Sequence, residues 1–143
     1  MRFTNTVRIE RAPADVFAYL ANFENIPRWN YAIAETRQIG SGQVGVGTRY
    51  RQIRTIPRQA EEFFEVVTYE PERNLAIRGD IGPLYGDLSY VLDESDGATV
   101  LTNTCELRAR GTFGVLAPLA SGQVRAAVAD NLGVLKQLLE SGA

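Results

Sequence analysis

The side chains that could carry out chemistry in this chain are restricted, because the sequence contains no histidine. That absence excludes Ser-His-Asp and Cys-His catalysis, histidine-ligated zinc and the usual general base with a near-neutral pKa. Any catalysis would fall to carboxylates, tyrosines, arginines or a single thiol, and the sequence leaves the catalytic residues unknown. The carboxylates are scattered without ligand spacing in a loop, so we expect no metal.

The single thiol belongs to Cys105, which cannot form an intramolecular disulfide because it has no second cysteine to pair with. It alternates with Leu101 and Leu107 on the apolar side of a predicted strand. A thiol buried among apolar side chains has a raised pKa and is unreactive. We therefore predict that Cys105 is a wall or core residue and not a nucleophile.

A glycine-rich segment carries the spacing Gly40-x-Gly42-x-x-Gly45, which matches the dinucleotide-binding fingerprint. That fingerprint requires a helix to open at the third glycine, where its N-terminus holds the pyrophosphate. Here residues 46–50 continue as a strand. We expect no nucleotide cofactor and no cofactor of another kind, and we interpret the segment as a flexible hairpin that could gate a pocket.

Four arginines follow this segment closely, at Arg49, Arg51, Arg54 and Arg58. Such a stretch could pair with a phosphate or with the acidic helix of a carrier protein. The alternative is a solvated strand face that is neutralised by neighbours. The candidate neighbours are Glu61, Glu62 and Glu65.

Length and composition limit the remaining classes. A chain of 143 residues predicts one domain over residues 1–143, and 15 basic against 17 acidic residues argues against a dedicated nucleic-acid-binding protein. No apolar run approaches the ~20 residues of a membrane span. No secretory leader is apparent, so we expect a cytoplasmic protein, as a monomer or a homodimer.

Periodicity indicates the elements that would position the candidate residues. An alternating strand over residues 3–10 leads to a helix with Pro13 in its first turn and a second short helix that Asn22 could cap and Pro27 would end. Six further strands are predicted over residues 32–39, 48–56, 61–69, 74–80, 84–93 and 98–110. The C-terminal region is helical, with an apolar stripe at Val124, Val128, Leu132, Leu135 and Leu139.

This order predicts an α+β fold in which a seven-stranded antiparallel sheet curls around the long C-terminal helix. Two short helices after the first strand would close one end. Pro118 and Gly122 suggest that the long helix has a broken or kinked start. Because a sheet wrapped on one helix cannot close tightly everywhere, we expect a pocket between them.

The chain resembles the START-like, or SRPBCC, superfamily, which has the helix-grip fold of the birch pollen allergen, and within it the bacterial polyketide cyclase/dehydrase-like branch. The resemblance extends over almost the whole chain. Its motifs are residues 7–20, Pro27-Arg28-Trp29-Asn30, residues 45–50, Tyr69-Glu70-Pro71 and Gly82-Pro83-Leu84 with Tyr90. It implies the helix-grip fold and a cavity for a hydrophobic molecule. The missing histidine departs from some enzymatic members of this superfamily.

Strand parity selects the side chains that would face the pocket, because neighbours on a strand point to opposite faces. The more apolar set of each strand is assigned inward, which on the fourth strand means Phe64, Val66 and Thr68. The candidate ligand-binding residues are Trp29, Tyr50, Gln52, Arg54, Phe64, Ile77, Leu88, Tyr90, Asn103 and Cys105, with Leu116 and Val128 from the helical region. For the polar members the alternative is mutual pairing, or pairing with a buried water, in a filled core.

Two of these candidates have specific alternatives. Trp29 could cap a ligand at the pocket mouth with its N–H in water, or it could plug the sheet edge. Asn103 could serve a ligand or another core group.

Three functions remain open at this stage. The first is binding of a small hydrophobic molecule such as a lipid or polyketide. The second is a polyketide cyclase or dehydratase-like enzyme that uses Tyr, Arg or Asn side chains. The third is a protein-interaction or stress-response module with a vestigial pocket. An inward-facing ionisable pair would favour the enzyme, and Arg54 is the one candidate member of such a pair.

Overall fold

The computed structural model describes residues 1–109 and 117–142, with the side chains of the last helix described from residue 122 onwards. Its elements follow one another in the order β1 (Arg2–Ile9), α1 (Pro13–Ala21), a 3-10 turn (Phe23–Asn25), α2 (Ile26–Trp29), β2 (Ile33–Ile39), β3 (Arg49–Arg54), β4 (Ala60–Glu70), β5 (Asn74–Ile81), β6 (Leu84–Ser95), β7 (Ala98–Ala109) and α3 (Ala117–Glu140).

The seven strands form one antiparallel sheet in the order β1-β7-β6-β5-β4-β3-β2. Strands β2 to β7 are joined as successive hairpins, and β1 pairs with β7 at the far edge. Consecutive strands pair this way because short connections favour antiparallel neighbours. The predicted α+β helix-grip architecture is confirmed.

Helix α3 packs its apolar stripe onto the concave face of the sheet. Leu132, Leu135 and Leu139 are each at most 2% exposed, while Val128 is half-buried. Burying each leucine contributes roughly 1.5–3 kcal/mol relative to leaving it in water. The stripe therefore holds α3 against the sheet, with β1 among its neighbours. No helix among the described residues is both long and apolar enough to cross a membrane.

The short helices cover the part of the concave face that α3 leaves open. They differ from the sequence prediction in two respects. Pro27 lies in the first turn of α2 and does not end a helix, because a first-turn residue needs no N–H for the helical hydrogen bonds. Asn22 precedes the 3-10 turn, but its side chain makes no capping hydrogen bond. Helix α2 buries Ile26 and Trp29.

A β-bulge in β4 lies between Val66 and Thr68. Val66 pairs with the inward Ile77, but Thr68 pairs with Ala76, whose side chain lies on the opposite face from Ile77. The prediction that Thr68 faces inward was therefore wrong. The extra residue of a bulge reverses the alternation beyond it.

Two glycines lie side by side on the concave face near the turn between β5 and β6, Gly79 on β5 and Gly86 on β6. A Cβ atom at Gly86 would lie 1.9 Å from the carbonyl oxygen of Glu106, and one at Gly79 would lie 2.3 Å from that of Phe63. Any side chain at either position would collide with the neighbouring strand. Glycine therefore permits the close backbone approach that the curled sheet has here.

Candidate functional site

A cavity of about 80 Å³ lies between the concave face of the sheet, the short helices and α3. Most of its wall is apolar, with a smaller number of polar side chains. The wall is formed by Leu20, Phe23, Ile26, Trp29, Asn30, Gln52, Arg54, Phe64, Ile77, Asp80, Ile81, Leu88, Tyr90, Val128 and Asn131.

Most of the candidate residues from the sequence meet at this cavity. Those on its wall are Trp29, Gln52, Arg54, Phe64, Ile77, Leu88, Tyr90 and Val128. Tyr50, Asn103 and Cys105 face the same side of the sheet but do not line the cavity. Leu116 lies outside the described residues.

Tyr50 does not line the cavity but packs against Phe64, which does. Its ring stacks on Phe64 with centroids 5.1 Å apart, and Phe23 packs against both rings at 5.0 and 5.6 Å. Burial, with smaller effects of Glu24 and Tyr69, raises the pKa of Tyr50 to about 12. Tyr50 is therefore neutral, and its stacked ring fixes the orientation of Phe64.

Asn103 forms hydrogen bonds with Cys105 and with the backbone of the neighbouring strand. Asn103 Nδ2 donates to the carbonyl oxygen of Ser89 at 3.1 Å, and its Oδ1 accepts from the Cys105 thiol at 3.5 Å. Burial raises the pKa of Cys105 to about 12, and the bond to Asn103 offsets a smaller part of that rise. Asn103 thus has core partners, and the thiol is buried and protonated.

A buried ion pair stands at one end of the cavity. Arg54 Nε donates to Glu62 Oε2 at 2.6 Å, and Gln52 Nε2 donates to Glu62 Oε1 at 2.9 Å. The backbone N–H of Gly82 also donates to Glu62 Oε2, at 2.6 Å. Glu62 is 2% exposed and Arg54 is 9% exposed. The three hydrogen bonds hold the carboxylate, which in turn fixes the guanidinium beside the cavity.

The sequence interpretation of Glu62 as a surface neighbour of the arginines was wrong. Parity with Phe64 and Val66 would have placed it inward, but a carboxylate on a buried face is costly unless it is paired. Its partner comes from another strand, which sequence alternation does not reveal. On the outer face, Arg51 pairs with Glu61 at 2.5 Å, so the arginine-rich stretch is divided between two faces.

Trp29 is 7% exposed and forms part of the cavity wall. Its helix, α2, packs on the edge strand β2 and on α3. The tryptophan therefore combines features of both sequence alternatives: it contacts the cavity and also fills the space beside the sheet edge. Because it is the chain's single tryptophan, its fluorescence reports on this cavity.

The polar wall residues differ in whether they have partners. Asn30 Oδ1 accepts from the N–H of Ala32 at 3.0 Å, and an Asp80 carboxylate oxygen accepts from the N–H of Phe63 at 3.2 Å. The Oδ1 atom of Asn131 is buried without a hydrogen bond. Burial, with a smaller effect of Cys105, raises the pKa of Tyr90, so its hydroxyl stays protonated.

Sequence reasoning missed several wall residues, namely Leu20, Phe23, Ile26, Asn30, Asp80, Ile81 and Asn131. A signal existed for Asn131. It follows Val128 by three residues and precedes Leu135 by four, which is the spacing of the apolar stripe. An asparagine at such a position has to be buried with the stripe.

The comparisons with known proteins agree on this architecture. A profile of the family described as "Polyketide cyclase / dehydrase and lipid transport" matches residues 1–140. No curated protein matches the chain.

Among solved structures, a protein from Thermus thermophilus is similar at 14% identity and a TM-score of 0.81, with 100% of both chains covered. The di-domain ARO/CYC StfQ of the steffimycin biosynthetic pathway is similar at 15% identity and a TM-score of 0.76, over 95% of this chain and 49% of that one. Ara h 8.0201 is similar at 13% identity and a TM-score of 0.63, over 94% and 97%. At these identities the likeness concerns the fold.

Proposed function

The chain belongs to the polyketide cyclase/dehydrase and lipid transport family, and from that premise we propose that it binds a small hydrophobic molecule between its sheet and α3. The observation that carries this proposal is the composition of the cavity wall. Phe64, Ile77 and Leu88 supply apolar surface, while Arg54 and Asn131 supply polar atoms at defined positions. Apolar walls with a few orienting polar groups are the usual composition of small-molecule sites.

The volume of the cavity adds a condition to the proposal. At about 80 Å³ it is smaller than the roughly 300–1,000 Å³ of pockets for drug-sized ligands. A lipid or polyketide would therefore bind by displacing wall side chains. The free energy of that opening lowers the apparent affinity, because only the open fraction of the protein is competent to bind.

Native mass spectrometry of the purified protein tests the proposal directly, since a co-purified hydrophobic ligand would add a discrete mass. A second test titrates the protein with 1-decanol and follows Trp29 fluorescence. Saturable change supports the cavity as the binding site. No bound mass together with no saturable change in fluorescence would reject the proposal.

Two phenylalanine substitutions on β6 provide a matched pair. Leu88→Phe adds volume inside the cavity, and we expect it to weaken binding. Val91→Phe adds the same kind of ring on the outer face, where Val91 is exposed, and should leave binding unchanged. Equal effects of the two variants would mean that the ligand binds elsewhere.

One observation favours the second candidate function, a cyclase or dehydratase. Arg54 and Glu62 form the inward ionisable pair that the sequence left incomplete. With its carboxylate partner fixed, the Arg54 guanidinium could polarise a ligand carbonyl, and the Tyr90 hydroxyl could donate a hydrogen bond to the carbonyl oxygen. Holding a reactive chain in a folded geometry can by itself contribute about 7–11 kcal/mol to a barrier reduction.

An aromatase or cyclase assay distinguishes this candidate from simple binding. The protein would be incubated with a linear poly-β-ketone thioester, and products separated by mass for loss of water on ring closure. The enzyme hypothesis requires faster cyclisation than in buffer and a large loss of that rate in the double variant Arg54→Met with Glu62→Leu, which removes both buried charges together. Binding without acceleration would leave the carrier function.

A further inference from the structure

The amide of Asn131 is an unsatisfied group on the cavity wall. The residue is 7% exposed, and its Oδ1 has no hydrogen-bond partner. Leaving such a group unpaired in a buried site costs folding free energy. Replacing it by leucine, the residue type of the surrounding stripe, would avoid that cost, so its presence calls for a partner that enters the cavity.

The other polar wall residues have partners already. Gln52 accepts from the hydroxyl of Thr36 and donates to Glu62. Arg54 is held by Glu62, and Asn30 and Asp80 each accept a backbone N–H. Tyr90, which also lines the cavity, contributes a neutral hydroxyl. Among the described wall residues, Asn131 and Tyr90 are therefore the polar ones whose side chains make no hydrogen bond within the protein.

We propose that the hydrophobic ligand carries a neutral hydroxyl group, which hydrogen-bonds to the Asn131 amide on α3 with Tyr90 as a second partner. This inference rests on the proposed binding function and specifies the class of ligand. A hydroxyl both donates and accepts, so it satisfies an amide in either orientation and pairs with a phenol. The apolar remainder of the ligand contacts Phe64, Ile77 and Leu88.

A ligand carboxylate fits this end of the cavity less well. The positive charge of Arg54 is already compensated by Glu62, which accepts three hydrogen bonds. A ligand carboxylate would therefore lose its hydration beside a guanidinium that already has its counter-charge, and it would share the wall with the carboxylate of Asp80, which is costly in a buried site.

Cyclohexanol and methylcyclohexane test the proposal, because they match in shape and differ in one hydroxyl. Trp29 fluorescence and calorimetry would give both dissociation constants for the wild-type protein and for Asn131→Leu. The cost of widening the cavity and the cost of removing the hydroxyl from water are common to both proteins. They cancel when the ratio of the two constants is compared between proteins.

We expect Asn131→Leu to shift that ratio by about tenfold in favour of methylcyclohexane, the equivalent of one hydrogen bond. Tyr90→Phe should shift it in the same direction, and this variant decides the matter if Asn131→Leu does not fold. Asn103→Leu is the matched control. It makes the same substitution at a buried asparagine outside the cavity, and it should leave the ratio unchanged.

The outcomes distinguish failure of the proposed binding function from failure of the hydroxyl inference. If neither compound binds the wild-type protein, the proposed function fails and the inference fails with it. If both bind but Asn131→Leu and Tyr90→Phe leave the ratio unchanged, cavity binding stands and the hydroxyl inference is overturned. In that case a buried water is the partner of Asn131.

Discussion

The Arg54 guanidinium donates to the Glu62 carboxylate at 2.6 Å on the buried, concave face of the sheet. Arg54 on β3 and Glu62 on β4 belong to neighbouring strands, so the ion pair crosses the ladder beside the cavity. Taking two charges out of water is expensive, and the pair is tolerated because Gln52 and the Gly82 N–H complete the hydrogen bonding of the carboxylate.

Breaking this pair should be strongly destabilising. Glu62→Leu leaves the Arg54 charge buried without its partner, and we expect a loss of about 3–5 kcal/mol in the free energy of unfolding. Urea denaturation followed by Trp29 fluorescence measures the change. The double variant Arg54→Met with Glu62→Leu should recover most of the loss, because it removes both charges together.

The neighbouring ion pair supplies the control for that experiment. Glu61 pairs with Arg51 on the outer face, where both side chains are substantially exposed. Glu61→Leu should cost less than about 1 kcal/mol, as is usual for surface pairs. Equal losses for Glu61→Leu and Glu62→Leu would contradict the inward placement of Glu62.

Gly86→Ala should destabilise the protein although it adds one methyl group. That methyl would lie 1.9 Å from the carbonyl oxygen of Glu106, so β6 and β7 would have to separate locally. We expect a loss of roughly 1–3 kcal/mol, the usual range for overpacking. Gly133→Ala in α3 is the matched control, because its methyl group would meet nothing within 4 Å. Since alanine favours a helix more than glycine does, this variant should raise the free energy of unfolding by up to about 1 kcal/mol.

Alkaline pH should weaken the fold through its buried acids. Burial raises the pKa of Cys105 from 9.0 to about 12 and that of Tyr50 from 10.0 to about 12. At a pH between about 9 and about 12, these two groups are deprotonated in the unfolded chain but still protonated in the folded one. The free energy of unfolding therefore falls as pH rises through this range. Below pH 9 both groups are protonated in either state and contribute no slope.

Thermal unfolding across that pH range measures this dependence. Cys105→Ala should reduce the slope, because one of the titrating groups is removed. A folded protein whose thiol reacts with iodoacetamide at pH 8 as fast as the urea-unfolded chain would refute the burial of Cys105.

Asn103→Leu should lower stability by about 1–3 kcal/mol. The substitution removes the donor to the Ser89 carbonyl and the acceptor for the Cys105 thiol, which leaves both groups unsatisfied in the core. Thermal unfolding beside Thr102→Leu, a change on the outer face of the same strand, gives the comparison. An unchanged or higher melting temperature for Asn103→Leu would mean that its bonds are not made within the core.

Strand alternation predicted which face of the sheet each candidate occupies, but not the depth at which it lies. Tyr50, Gln52 and Arg54 share the buried face of β3, as their parity indicated. Gln52 and Arg54 reach the cavity, whereas Tyr50 lies behind Phe64. Depth depends on how the sheet curls and on which rings stack, and both are set by contacts between distant parts of the chain.

The sequence interpretation placed Glu62 on the surface because of its charge, since the residue that compensates this charge lies on another strand. Glu62 has the parity of Phe64, yet an isolated glutamate favours the solvent. Arg54 on the neighbouring strand supplies the counter-charge that allows Glu62 to be buried. The bulge at Val67 likewise had no local signature, since neither glycine nor proline marks it.

The extra residue in β4 gives that strand two segments of opposite phase. Glu62, Phe64 and Val66 are buried at even positions, whereas beyond Val67 the odd-numbered Tyr69 packs edge-on against Phe17 at 5.3 Å. Deleting Val67 would thus remove the bulge and keep the register on both sides of it, because Thr68 would follow Val66 directly, still opposite Ala76, and Tyr69 would stay opposite Leu75 on the side of Phe17. An alignment with relatives that lack the bulge has to open a gap here, or every later position of the strand is compared with the wrong face.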